Sequence, residues 1–203
     1  MLDFNEYQNE YMAFGECGGA KEDITKWGSG SDGFPTTLCC RNALTILSDA
    51  MASQVRNTKG QVFLSQEQWQ SCDQSFHPQP GMSLSSCGFD NFYFGSSQCS
   101  NLSLLTVQGS QKYSDALNQC SHFYLSFDES CADCTSAILS LRDSLYYSTG
   151  PDSNDIERAI CGVAALVAVA FEQQNDPFLV DKFLRCLPSP AVHNKSKIII
   201  PML

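Results

Sequence analysis

Eleven cysteines in 203 residues, spread from Cys17 to Cys186, constrain this chain more than any other feature. A reducing cytosol rarely tolerates that density without metal clusters, whereas an oxidising compartment turns it into a disulfide framework. Spacing argues against the metal and redox alternatives. Cys131-Ala-Asp-Cys134 is spaced like a redox dithiol or half a zinc site, but zinc needs a second close Cys or His pair. His77, His122 and His193 are scattered. A thioredoxin-like site needs a βαβ frame, and here the motif opens a helix. Cys131 and Cys134 are therefore expected to bond different partners. The vicinal pair Cys39-Cys40 obeys the same rule, because helical neighbours point about 100° apart. The expected framework is five bridges drawn from Cys39, Cys40, Cys72, Cys87, Cys99, Cys120, Cys131, Cys134, Cys161 and Cys186. Cys17 is left without an assigned role, because the total is odd. No metal or cofactor is expected.

A disulfide framework implies folding outside the cytosol, yet Met1-Leu-Asp-Phe-Asn-Glu lacks the basic start and apolar run of a secretory leader. The reading is a mature or trimmed extracellular product. Two sequons, Asn101-Leu-Ser103 and Asn194-Lys-Ser196, agree with secretion and mark Asn101 and Asn194 as candidate glycosylation sites. The longest apolar run, residues 163–171, falls far short of a membrane span. With 22 acids against 12 bases and a formal charge of -10, the chain has no basic field for phosphates. Nucleic acid and anionic membranes are thus excluded as principal partners.

Hydrophobic periodicity assigns the fold. Six glycines between Gly15 and Gly33 make residues 1–33 a poorly packing arm, expected to wrap the domain as a loop. Within it Phe4, Tyr7, Tyr11 and Phe14 recur at helical spacing. Pro35-Thr-Thr then leads into Cys40, Leu44, Leu47, Met51 and Val55, a helical stripe with Thr36 or Thr37 as cap. Ser65-Gln-Glu-Gln68 is a capping box for a shorter helix with Trp69 and Cys72. Residues 77–103 read as loop, with a brief strand at Asn91-Phe-Tyr-Phe94. Further helices are expected over residues 113–120, from Ser126-Phe-Asp-Glu129 onward with Cys134, Ile138, Leu141 and Leu145 on one face, and from Asp176-Pro177 to Pro188. Asn154-Asp-Ile-Glu157 caps the helix whose residues 160–171 are apolar on every face but Gly162. A helix greasy all round is central. The fold class is mainly α: a disulfide-rich, single-domain helical bundle with long irregular loops. It divides into an arm (1–33), a cysteine-rich domain (34–188) and a tail (189–203).

No catalytic set converges. The chain has no nucleophile elbow and no HExxH, and its acids sit mainly at helix starts, where capping explains them. Gly28-Ser-Gly-Ser-Asp-Gly33 lacks the lysine and preceding strand of a phosphate loop. Asp152-Ser-Asn-Asp155-Ile-Glu157 has calcium-type oxygens but no turn glycine, and reads as a helix cap. The chain is therefore expected to bind rather than catalyse. Its partner anchors are sought among loop aromatics, Phe89, Phe92, Tyr93 and Phe94, since the helices spend their apolar faces on the core. Plugging the end of the bundle is the structural alternative for these rings.

Phe34-Pro-Thr-Thr-Leu-Cys39-Cys40-Arg-Asn-Ala-Leu, Phe63-Leu with Cys72, Ser86-Cys87-Gly88, Cys99, Cys120, Cys131-Ala-Asp-Cys134, Ala159-Ile-Cys161-Gly and Arg185-Cys186-Leu-Pro188 occur in this order. Together they resemble the SPARK extracellular module of plant receptor-like kinases. The resemblance implies a cell-surface receptor ectodomain, followed in the family by a membrane helix and a cytoplasmic kinase, with some members acting in arbuscular mycorrhizal symbiosis. Its implied partner is an extracellular protein, a glycan ligand or a co-receptor. The chain departs from the pattern in having Cys17 alone before the Cys39-Cys40 pair. A second resemblance, to the Gnk2-type cysteine-rich lectin-like module and its C-x8-C-x2-C motif, rests on Cys120 to Cys134. There the first gap is ten residues, and no long amphipathic strands accompany it.

Overall fold

A computed structural model describes residues 23–29, 33–55, 60–76, 83–121, 127–148, 154–173 and 178–187, together with Gly150 and Asp176. The stripe through Cys40, Leu44, Leu47, Met51 and Val55 becomes helix α1 (Leu38–Val55). Thr37 is its cap, with Oγ1 accepting from the Cys40 amide at 3.3 Å, and the Arg41 guanidinium closes the turn on the Pro35 carbonyl at 2.7 Å. Helix α2 (Gln66–Ser75) begins in a complete capping box between Ser65 and Gln68. Then come α3 (Leu104–Gln108), α4 (Tyr113–Cys120), α5 (Phe127–Ser148), α6 (Asp155–Glu172) and α7 (Leu179–Cys186). Among the described residues there is no strand, only isolated bridges at Gln61–Ser103 and Leu64–Tyr93. The Leu64–Tyr93 bridge stands where a brief strand was expected.

Helix α6 is the axis. Residues 159–169 are buried on every face, and around them pack α1, α3, α4, α5, α7 and the 3-10 turns Ile24–Ser29 and Cys99–Asn101. Gly162 permits the closest approach: a Cβ there would meet the Phe34 ring at 3.0 Å and the Arg142 side chain at 3.4 Å. Phe34 is thus wedged between α6 and α7, edge-on to Phe183 at 5.0 Å. Asn154 caps α6 by accepting from the Glu157 amide at 2.7 Å.

Four bridges are described: Cys40–Cys87, Cys99–Cys161, Cys120–Cys134 and Cys131–Cys186. Cys39 is also disulfide-bonded. The two cysteines of the CxxC lie one turn apart on α5, one held to α7 and the other to α4. Cys72 corrects the expected framework. It is a buried thiol on α2, while Cys87 bonds Cys40.

Three further expectations shift. The segment before Phe34 is not all loop, since the turn Ile24–Ser29 carries Trp27 into the core. Helix α7 starts at Leu179, beyond the Asp176-Pro177 signal. There the Asp176 carboxylate accepts from the Phe178 amide and pairs with Lys182 at 2.7 Å. Glu157 does not reach back to Asn154 as a capping box requires; its carboxylate is used elsewhere. The aromatic series Phe4 to Phe14, Cys17, Ser126 and Asn194 lie outside the described residues.

Candidate functional site

The loop aromatics singled out from the sequence sit on a segment fixed at both ends. At its start, Ser83 and Ser86 exchange backbone-to-hydroxyl hydrogen bonds at 3.0 Å, opening the turn Ser85–Cys87. Cys87 is tied to α1 through Cys40. At its end, Ser97 and Ser100 repeat the reciprocal bonds before the turn Cys99–Asn101, and Cys99 is tied to α6 through Cys161. Glu157, buried in the first turn of α6, completes this anchor: its carboxylate accepts from the backbone amides of Gln98 and Cys99. The Cys99 amide, on a wholly buried residue, would otherwise stand unsatisfied at the start of the turn. Two Ser-x-x-Ser motifs therefore frame the loop, and a serine reading of the capping box could have found them in the sequence.

Between the anchors the four rings divide. Phe89 and Phe92 are fully buried and stacked on each other at 5.2 Å. Trp27 meets them edge-on at 5.6 and 6.0 Å, while Phe63 and Trp69 lie tilted against Phe92 at 6.4 and 6.3 Å. Such pairs contribute beyond their buried area. Phe89 and Phe92 thus belong to the core, which corrects their placement among partner anchors. Tyr93 is half-buried at the bridge to Leu64, and the Phe94 amide donates to the Leu64 carbonyl at 2.6 Å. The chain then turns at Gly95 (φ 93°), and the Ser96 hydroxyl donates to the Asn91 carbonyl. This leaves the Phe94 side chain 44% exposed on a backbone held from both sides.

Elsewhere the charged groups serve the fold. Asp143 accepts from Arg142 at 2.9 Å and from Arg158 at 3.1 Å, joining α5 to α6. Cys99, Glu157 and Cys161 lie close enough to suggest metal ligands. Yet the two sulfurs are bonded to each other and the carboxylate is taken by two amides, so the trio offers an ion no donor set. Asp49 on α1 is pushed up to about 8, first by burial and then by the charges of Asp181 and Asp176. Asn101, the first sequon, is exposed. No helix among the described residues is long and apolar enough to cross a membrane.

A cysteine-tied helical bundle of this kind carries its own signature, and the SPARK family model matches residues 1–162. The chain belongs to the SPARK family. No curated protein and no solved structure matches it. In SPARK terms, the match takes in the Cys39-Cys40 pair, the framed loop, the CxxC and most of the first half of α6. Helix α7 lies beyond it and is tied back by Cys131–Cys186.

Proposed function

We propose that this SPARK module is the extracellular, partner-binding part of a plant receptor-like kinase, and that it acts by presenting surface and not by catalysis. The observation that carries the reading is the division of the framed loop. Two rings bury themselves and fix the backbone, while Phe94 stays exposed on it. An aromatic held out on a preorganised loop binds with little ordering entropy to lose, which is how a few residues come to dominate an interface. Net charge of -10 favours a partner with basic groups around that contact. Bridges tying α1, α4, α5, α6 and α7 support an oxidising, extracellular setting. The family resemblance extends the proposal to signalling in arbuscular mycorrhizal symbiosis.

The test uses the folded, disulfide-bonded chain as bait for root extracellular proteins, beside its Phe94→Ala variant, with calorimetry against chitin and mannose oligomers. The expected result is a partner retained by the parent and lost by a variant that melts at the same temperature. Equal retention by both overturns the anchor. Turnover on an ester, glycoside or peptide panel overturns the non-catalytic reading, and oligosaccharide binding that survives Phe94→Ala moves the function to a lectin-like site elsewhere.

A further inference from the structure

We infer that Asn101 is a modification site, taking an N-linked oligosaccharide from a lipid-pyrophosphate donor. Three observations converge there. Asn101-Leu-Ser103 satisfies the acceptor pattern. In the folded chain Asn101 is exposed, whereas its neighbours Cys99 and Ser100 are wholly buried. The turn that carries it is fastened to α6 by the Cys99–Cys161 bridge and the Glu157 carboxylate. A glycan on Asn101 therefore lies outside the bundle on a rigid support, where it costs the core nothing. In the transfer, the Asn101 amide nitrogen bonds to the anomeric carbon of the donor sugar. The carbon–oxygen bond to the pyrophosphate breaks, lipid pyrophosphate departs and the amide loses one proton. No oxidant or reductant is needed.

Ser103 places the event in time. In the folded state its hydroxyl is the N-cap of α3, accepting from the Thr106 amide at 3.2 Å and lying 2.8 Å from the Thr106 hydroxyl. The acceptor hydroxyl is thus engaged once α3 forms, so transfer belongs to the chain before it folds. The same serine then has two successive roles, acceptor recognition and helix capping, which separate by mutation.

The inference rests on the extracellular reading, and the experiment distinguishes the two. The chain is expressed behind a secretory leader in plant cells, its thiols are counted, and peptides are mapped after an N-glycosidase that leaves Asp in place of a glycosylated Asn. Expected is conversion at residue 101 in the parent and in Ser103→Thr, and its loss in both Asn101→Gln and Ser103→Ala. Of the two unglycosylated variants, Ser103→Ala alone loses the cap, and it should melt about 3 °C below Asn101→Gln. Secreted, bridged protein with Asn101 unmodified overturns the site and leaves the extracellular reading standing. Unmodified protein with its thiols open overturns both.

Discussion

At the scale of single residues, burial separates side chains that composition treats alike. Phe92 and Phe94 are two positions apart, yet one is enclosed by four aromatic rings and the other is exposed. Phe92→Ala should destabilise the protein by about 3–5 kcal/mol, since the cavity adds to the lost transfer energy. Phe94→Ala should stay within about 0.5 kcal/mol of the parent. Urea denaturation reads both, and equal losses would put Phe94 in the core as well. Asp49 supplies a second contrast. Its folded-state carboxyl holds the proton up to about pH 8, while the unfolded group releases it near 3.8. Across that window unfolding releases a proton, so this residue's contribution to stability falls as pH rises. Its buried Oδ2 has no hydrogen-bond partner. Asp49→Asn should therefore melt like the parent at pH 3, gain on it steadily between pH 4 and 8, and keep that lead above pH 8. A lead of the same size at pH 3 and pH 8 would show that ionisation is not the cause.

At the scale of elements, periodic helices were legible from the sequence and short ones were not. The stripe from Cys40 to Val55, the Ser65–Gln68 box and the Asn154 cap each give an element where the pattern placed it, because capping chemistry and a repeated apolar face are local signals. Helix α3 offers five residues, too few for a period, and its cap Ser103 doubles as a sequon residue. The turn Ile24–Ser29 hides among glycines, and the burial of Ile24 and Trp27 reveals that it packs. Likewise the sequence grouped Phe89, Phe92, Tyr93 and Phe94 without dividing them. That division depends on Trp27, Phe63 and Trp69 arriving from other segments, contacts that no local pattern encodes. Glu157 shows the same limit. Read locally it is a helix-start acid; in the fold it holds two amides from a turn 58 residues upstream. Glu157→Gln keeps the shape but replaces a charge-assisted acceptor, and should cost about 1–2 kcal/mol. Asn154→Ala, which removes only the local cap, should cost about 1 kcal/mol. A double variant losing just the sum would mean that cap and long-range anchor act independently.

For the whole molecule, the bridges and α6 make one mechanical unit, and their arrangement predicts how it fails. Val167 lies at zero exposure in the middle of α6. Val167→Asp would bury an unpaired charge where five other helices converge, a cost comparable to the entire stability of a domain, and should abolish secretion of folded protein. The bridges act instead through the unfolded chain. Cys120–Cys134 closes a loop of separation 14 and joins neighbouring helices, whereas Cys99–Cys161 closes one of separation 62 and fastens the framed loop to the axis. Loop entropy alone gives these about 3 and about 4 kcal/mol respectively. The longer bridge also fastens the loop that presents Phe94, 44% exposed, so its loss has a local consequence that the shorter one lacks. Paired Cys→Ser replacement should rank them accordingly: the 120/134 variant melts lower than the parent but binds the Phe94-dependent partner normally, and the 99/161 variant melts lower still and binds weakly even at temperatures where its helical circular dichroism is intact. If both variants lose stability equally and both keep full binding, the Cys99–Cys161 bridge is only a staple, and the Phe94 loop is positioned by the aromatic cluster and the Cys40–Cys87 bridge alone.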